Sequence, residues 1–464
     1  MPTLIDPNDN RPVHFMGIAG AGMNALAELC ARRGATVTGC DQNPDGAGDL
    51  ARHGITVTRG HDASHAEGHR ALVVSSAIPK THPEILRARE LAIPVIRRAE
   101  ALAEATAGGR LVGIAGTHGK STTTVMTTEA LKSAGVDATG VVGARVTSWN
   151  GNLSSGADDV FVVEADEYDR SFLALAPDVA VVTNLEADHL DIYEDLNDIK
   201  GAFTQFVRGA RWIVLCADDA NANALYTPAS AEVVRYGITS SDARLIARNI
   251  SMRDGGAQFE VVYDGKSLGG VQLGVPGEHN VRNALAALAV GLGTWGVTVP
   301  QMAGGLRRFV GAERRFQRIG DVNGVRVIDD YAHHPTEIAA TLAAARGAFP
   351  GRRIVAAFQP HLFSRTRDFA NEFGAALATA DATYLTAIYP AREQPIAGVT
   401  SALIADAMTR AGRAPVWEGD RTTLAAALRD NIKPGDVVFT IGAGDITKTG
   451  PELVALLVAL LEGA

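Results

Sequence analysis

The chain is poor in cysteine, in aromatics and in clustered positive charge, and each shortage closes off a class of protein. Cys30, Cys40 and Cys216 are odd in number and show no C-x-x-C spacing, so the sequence offers neither a disulfide frame nor a zinc site. Small buried thiols in a reducing compartment are expected instead. Aromatics make up 6% of 464 residues, against 49 glycines. That balance suits α/β domains with many tight strand-to-helix turns better than a β-sandwich. No Lys/Arg run exceeds two residues and the formal net charge is −9, which argues against nucleic acid as a partner, because a phosphate backbone is met by a basic face. The longest apolar run, Leu453 to Leu461, is far too short for a bilayer and reads as the core face of the last helix. The opening MPTLIDPNDNRP has no apolar signal-peptide core. A cytoplasmic protein with no membrane partner is expected.

What is present is a globular composition, 46% apolar and 20% charged, in a chain long enough for two or three domains. Apolar strands alternate with helices along its length, which predicts an α/β fold with mostly parallel sheets. VHFMGIAGAG (Val13–Gly22) is a strand feeding a Gly turn. The stretch MNALAELCARRG then reads as a helix stopping at Gly34, and a second strand ends on Asp41. ALAEATAGGR marks a boundary, after which RLVGIAGTHGKSTTT opens a new domain. The continuous runs DVFVVEAD and DVAVVTNL suit strands covered on both faces. A β-rich insertion occupies residues 240–275, and the helix HNVRNALAALAVGL follows. Near residue 318 a third series begins, with strands VRVIDDY, RRIVAAFQP, ATYLTAIYP and DVVFTIGAG.

The strongest chemical signal is Gly116-Thr117-His118-Gly119-Lys120-Ser121-Thr122. A strand, a Gly turn, a Lys and a hydroxyl at a helix start surround an anion with backbone N–H groups and a positive helix end. Lys120 is placed to reach terminal phosphates and Ser121 to hold Mg²⁺. The spacing departs from G-x-x-x-x-G-K-[ST], since Ile114 stands at the first glycine position. A mere helix start would leave the hydroxyl run Ser121 to Thr124 without a reason. The second signal is EADEYD, with Glu164 first after an apolar strand, where α/β sheets bind ligands. A carboxylate beside a P-loop suits Mg²⁺, which prefers oxygen ligands. Asp166 and Asp169 also fit a solvated acidic loop. A third strand end repeats the arrangement with Asn184, Glu186, Asp188 and His189. In the first domain, Gly17, Gly20 and Gly22 give G-x-x-G-x-G rather than the dinucleotide order, with Asp41 where a ribose would be held. An NAD-binding reading competes there.

GTHGKSTT, EADEYDRSF, TNLEADHLD, GEHNVRNALAA, DDYAHHPTE and FQPHLFSRTRD, with GIAGAGM at the start, resemble the Mur ligase family in order and approximate spacing. These enzymes build the peptide stem of bacterial peptidoglycan. The resemblance covers nearly the whole chain. It implies three domains: a Rossmann-like UDP-sugar-binding domain over 1–107, a P-loop-type ATPase over 108–317, and a Rossmann-like amino-acid-binding domain over 318–464. It implies ATP and Mg²⁺, with UDP-N-acetylmuramate and L-alanine as substrates, acting in a monomer or weak homodimer. Lys120 is then assigned to the ATP phosphates, Ser121 and Glu164 to magnesium, and His189 to a metal site bridging ATP and the acid. Asn280 and Asn283 would contact the nucleotide, and Arg314 would reach it. Asp330, Tyr331 and His333 fall in the amino-acid and reaction region, with Arg365 and Arg367. Gly17, Gly20 and Gly22, with Ser75 and Ser76 nearby, would cradle the UDP diphosphate. One departure is Leu362, where some members carry Arg; Arg365 would then do more. A ligase re-attaching a recovered tripeptide, an NAD-dependent oxidoreductase and a nucleotide switch are the rival readings. The last two leave Lys120, Glu164, His189 or the third-domain loops without a role.

Overall fold

Strands written almost wholly in Val, Ile, Ala and Leu have no polar face to offer water, so they are stable only with helices on both sides. The computed structural model describes residues 4–6, 8–75, 77–190, 192–253, 255–391 and 393–462. Its strands form three parallel-rich sheets of five, ten and six strands. The chain divides into two compact units, one of residues 1–250, 259–272 and 280–309, the other of residues 251–258, 273–279 and 310–464.

In the first unit, β1 (Val13–Met16), β2 (Val37–Asp41), β3 (Thr56–Arg59), β4 (Ala71–Val74) and β5 (Val95–Arg97) assemble in the order β3-β2-β1-β4-β5, every pair parallel. This is the Rossmann half-order expected of the first domain. Helix α1 (Ala21–Arg32) follows β1 and ends before Gly34, whose φ of +96° lets the chain reverse. Helices α2 (Pro83–Glu90) and α3 (Arg98–Ala105) follow β4 and β5.

The second sheet is built on β6 (Arg110–Ala115), β7 (Thr139–Val146), β8 (Gly151–Ser154), β9 (Val160–Glu164), β10 (Val179–Val182), β11 (Trp212–Cys216) and β12 (Glu232–Gly237). Beyond β12 lie β13 (Leu245–Arg253), β14 (Gly256–Tyr263) and β15 (Lys266–Leu273), the β-rich insertion read from the sequence. At its centre β10, β6 and β9 are neighbours and parallel. Val179 to Val182 are all fully buried, and each Val side chain so placed stabilises the unit by about 1.5–3 kcal/mol. Three strand ends therefore open side by side at one edge. Helix α4 (Lys120–Ser133) leaves the end of β6.

In the second unit, β16 (Gln317–Val322), β17 (Val325–Asp330), β18 (Ile354–Phe358), β19 (Ala382–Thr386), β20 (Trp417–Gly419) and β21 (Val437–Ile441) run in the order β16-β17-β21-β18-β19-β20. Only the β16–β17 pair is antiparallel. The last helix, Thr449–Glu462, buries Leu453 and Leu457 at i, i+4 spacing, whereas Leu460 and Leu461 are exposed. The terminal apolar run is thus a core face over only its first turns. No helix of the described residues is long and apolar enough to cross a membrane.

Candidate active site

Residues Gly116 to Gly119 turn the chain from β6 into α4, and two of them tolerate no side chain. A Cβ on Gly116, at φ +138°, would lie 2.0 Å from Thr183 Oγ1, and one on Gly119, at φ +81°, would lie 2.7 Å from Asn283 Oδ1. Neighbouring strand ends clamp the loop. Thr117 donates its N–H to the Asn184 carbonyl at 3.1 Å, and His118 donates its N–H to Asn184 Oδ1 at 2.8 Å. Asn184 Nδ2 and Thr183 Oγ1 donate back to the His118 carbonyl at 3.0 and 2.6 Å. The His118 ring reaches Glu186 at 3.4 Å. Asn283 and Asn280, one helical turn apart on the buried start of the helix Glu278–Val290, bond to each other at 3.3 Å. Asn283 is therefore held against the glycine face of the loop.

Lys120, the first residue of α4, folds over this loop. Its ammonium donates to the carbonyls of Gly116 at 2.8 Å and Thr117 at 3.2 Å, and pairs with Glu167 at 2.8 Å. Burial alone would lower its pKa, but the nearby carboxylates of Glu167, Asp166 and Glu164 outweigh that and raise it, so the ammonium stays charged. Burial pushes the Glu167 carboxyl up to about 7 against the pull of Lys120. Ser121 donates to Glu164 Oε1 at 2.9 Å, while Glu164 Oε2 accepts the Gly143 N–H at 2.6 Å. Thr122 is buried in the same first turn. His189 adopts φ +54°, unusual for a side-chain-bearing residue. Its Nε2 lies 3.8 Å from both Glu167 Oε1 and Asp188 Oδ2.

In the first-domain glycine turn, backbone bonds tie the loop to the end of β2. Gly17 has φ +74°, donates to the Cys40 carbonyl at 2.8 Å and faces Ser75. Gly20 is the N-cap of α1. Asp41 accepts the N–H groups of Ala19 at 3.0 Å and Asn43 at 2.9 Å, so both of its oxygens fasten the turn. Beside Gly22 lies the guanidinium of Arg98, which also pairs with Asp166 at 3.5 Å. Ser76 lies outside the described residues.

In the second unit Arg314, at φ +60°, pairs with the buried Asp329 at 3.0 Å, donates to the Gly442 carbonyl and sits over the Tyr331 ring at 4.8 Å. Asp330 accepts backbone N–H groups on both oxygens, from Phe316 at 2.8 Å and Ala332 at 2.9 Å. Burial pushes it up to about 6, with Arg315 pulling the other way. His333 Nδ1 lies 3.0 Å from the Tyr331 carbonyl, and its ring is 6.1 Å from that of His361. Arg365 is buried, whereas Arg367 is half-exposed and paired with Asp368 at 2.7 Å. Leu362 occupies φ +72°, with its N–H on the Tyr389 carbonyl at 3.0 Å.

The structure thus brings Lys120, Ser121, Glu164 and His189 together, and gathers Arg314, Asp330, Tyr331 and His333 in the second unit. Sequence reasoning did not single out Glu167, the partner of Lys120. Its only signal was membership of the acidic run EADEYD, where the carboxylates after Glu164 are not distinguished until the kinked turn Tyr168–Ala174 fixes the geometry. Asn184 and Arg98 were likewise not assigned these tasks.

Three family models tile the chain. The Mur ligase family, catalytic domain matches residues 12–110, the Mur ligase middle domain residues 114–291, and the Mur ligase, glutamate ligase domain residues 314–444. The UDP-N-acetylmuramate--L-alanine ligase of Salinibacter ruber is 44% identical over 453 residues, covering 96% of this chain and 95% of that protein. Its namesake in Cutibacterium acnes is 44% identical over 466 residues, covering 98% of each. Among solved structures, the UDP-N-acetylmuramate-alanine ligase of Thermotoga maritima aligns with a TM-score of 0.82 at 27% identity, over 97% of this chain and 99% of that one. A murein peptide ligase from Psychrobacter arcticus aligns at 0.68 and 27% identity, over 96% and 98%.

Proposed function

This chain belongs to the Mur ligase family, and from that premise we propose that it joins L-alanine to the carboxylate of UDP-N-acetylmuramate at the expense of ATP, in the cytoplasmic stage of peptidoglycan synthesis. The observation that carries this reading is the meeting of Lys120, Ser121, Glu164, Glu167 and His189 beyond the ends of three adjacent parallel strands. The domain roles follow the same scheme: UDP-sugar over 1–107, ATP over 108–317 and amino acid over 318–464, in a monomer or weak homodimer.

A carboxylate is a poor electrophile and must be activated before an amine attacks it. Its oxygen attacks the γ-phosphorus of ATP, the bond to the β-bridging oxygen breaks, and ADP leaves with an acyl phosphate formed. The alanine amine then adds to the acyl carbon, and phosphate departs with the acyl C–O bond pair while the nitrogen gives up a proton. The first step brings two anions together, so preorganised positive charge is the main demand. Lys120 meets it. Its bonds to Gly116, Thr117 and Glu167 keep the ammonium charged over the loop, ready to exchange carbonyl oxygens for phosphate oxygens. The loop N–H groups and the start of α4 add to the field.

The residues fit Mg²⁺ by donor type: a serine hydroxyl and a carboxylate meet beside the phosphate loop, and a hard cation prefers such oxygen ligands. Ser121 and Glu164 would hold the ion, with His189 alongside, and it would supply charge neutralisation at the phosphates. In the second unit His333 is better placed than Asp330 to take the amine proton, because both oxygens of Asp330 already accept backbone N–H groups. Arg365 is assigned to the amino-acid carboxylate.

Phosphate release measured with ATP and Mg²⁺, leaving out UDP-N-acetylmuramate or L-alanine in turn, tests the reading. Release that needs both is expected, and release indifferent to L-alanine would overturn it. Running L-alanine against the stem tripeptide in the same assay separates this reading from tripeptide re-attachment.

A further inference from the structure

Glu84, in α2, is a carboxylate with no exposed surface, on a helix of the first sheet rather than of the sheet that carries the phosphate loop. A buried carboxylate needs a compensating charge. Among the described residues, its ion-pair partners are three histidines: His14 at 4.0 Å, His61 at 3.3 Å and His65 at 3.4 Å. The fourth group is the Cys40 thiol. Its Sγ lies 3.4 Å from Glu84 Oε2, and 3.2 Å from both His14 Nε2 and His61 Nδ1.

We propose that His14, Cys40, His65 and Glu84 form a binding site for one Zn²⁺ ion that staples the first sheet. The donor atoms of these four residues all lie within 4.8 Å of one another. Ligand atoms about 2.0–2.3 Å from a tetrahedral zinc are about 3.3–3.8 Å apart; the Cys40–Glu84 and His65–Glu84 contacts, at 3.4 Å each, fall in that range, and His14 brackets it, 3.2 Å from Cys40 and 4.0 Å from Glu84. Imidazole, thiolate and carboxylate are the donor types zinc takes, and a thiolate excludes Mg²⁺ and Ca²⁺ as occupants.

The surroundings match a ligand set rather than a generic polar cluster. His14 turns its other nitrogen to Thr38 Oγ1 at 2.8 Å, and Thr38 in turn meets His69 at 2.9 Å, the outer bonding that fixes a ligating imidazole. The Asp62 N–H orients Glu84 Oε1 at 2.9 Å. His61 and His65 are partly exposed, at 17% and 20% of their side chains, and give the ion a path in. Each ligand comes from a separate element: β1, β2, the turn at Ala63–Ala66 and α2. Cys40 precedes Asp41, which fastens the glycine turn, so zinc would also stiffen that turn.

The test strips the full-length protein with a chelator and adds Co²⁺, then Zn²⁺ under a competing chelator. A thiolate-to-cobalt charge-transfer band and one tightly held zinc per chain are expected. The Cys40→Ser variant should lose the band, and both it and His65→Gln should lower zinc affinity by at least about 100-fold. Glu164→Gln, at the phosphate site, should keep the band. His65→Gln changes a partly exposed side chain, so it remains informative should Cys40→Ser fail to fold. Absence of the band in the wild-type protein would overturn the proposal, as would zinc affinity unchanged in His65→Gln.

Discussion

Replacing Lys120 by Met removes the ammonium while keeping much of the side-chain volume, and it separates two tasks of one charge. The catalytic task is to offset repulsion between the acid and the γ-phosphate, and losing one preorganised charge of this kind lowers turnover by about 10²–10³. The structural task concerns Glu167, which is 4% exposed. Burial has already raised its carboxyl from 4.5 to about 7, even with Lys120 pulling it down. A carboxyl whose folded pKa exceeds its unfolded value binds its proton more tightly in the folded state. Stability therefore falls as pH climbs above the unfolded value and levels off past the folded one. In the wild-type protein the levelling comes near pH 7. Without Lys120 the folded value moves higher still and the decline continues, at about 1.4 kcal/mol for each further pH unit.

Lys120→Met should therefore be less stable than wild type by a margin that widens from about pH 7 towards about pH 9. The double variant Lys120→Met/Glu167→Gln should close most of that margin, since position 167 then has no carboxylate to ionise, and remain inactive. Urea denaturation at stepped pH, with phosphate release on the same preparations, reads both quantities. A margin independent of pH, or turnover regained in the double variant, would refute the reasoning.

Ser121→Ala and Glu164→Gln should each raise the Mg²⁺ needed for half-maximal phosphate release by about tenfold or more; an unchanged titration would remove them as ligands. Gly116→Ala places a methyl 2.0 Å from Thr183 Oγ1 at φ +138°, so ATP binding by calorimetry should be lost and stability reduced by at least about 1–3 kcal/mol. Near-normal ATP affinity would mean the loop is laxer than described. Asp330, raised by burial to about 6 from 3.8, makes the second unit less stable as pH rises between those values. Asp330→Asn should flatten that slope in denaturation measured from acid to neutral pH, and a persisting slope would place its origin elsewhere.

Much of this was legible in one dimension. Continuous apolar runs such as Val179–Val182 have a single stable use, between two helix layers, so the parallel sheets follow from hydrophobicity alone. Strand–glycine–lysine–hydroxyl is equally local, because the loop, its N–H groups and the helix start lie within seven consecutive residues. Glu164, directly after its strand, could be placed by the rule that ligands gather at carboxyl ends of parallel strands. Glu167 could not. Which of several carboxylates in EADEYD turns back to Lys120 depends on the turn that follows and on His189, whose strained backbone aims it at the same group. That Asp41 accepts the N–H groups of Ala19 and Asn43, one on each oxygen, is likewise a matter of loop geometry that spacing does not encode.

The sequence by itself determined the fold class, the phosphate loop and the family, because each is written in contiguous residues whose physics is local. The tertiary structure alone decided which charges pair and where Cys40 lies. The cysteine has no partner at metal-ligand spacing along the chain, yet folding brings it against Glu84 and three histidines from four segments. Such groups interact only through the low-dielectric interior that packing creates, and no interior exists until the chain has folded.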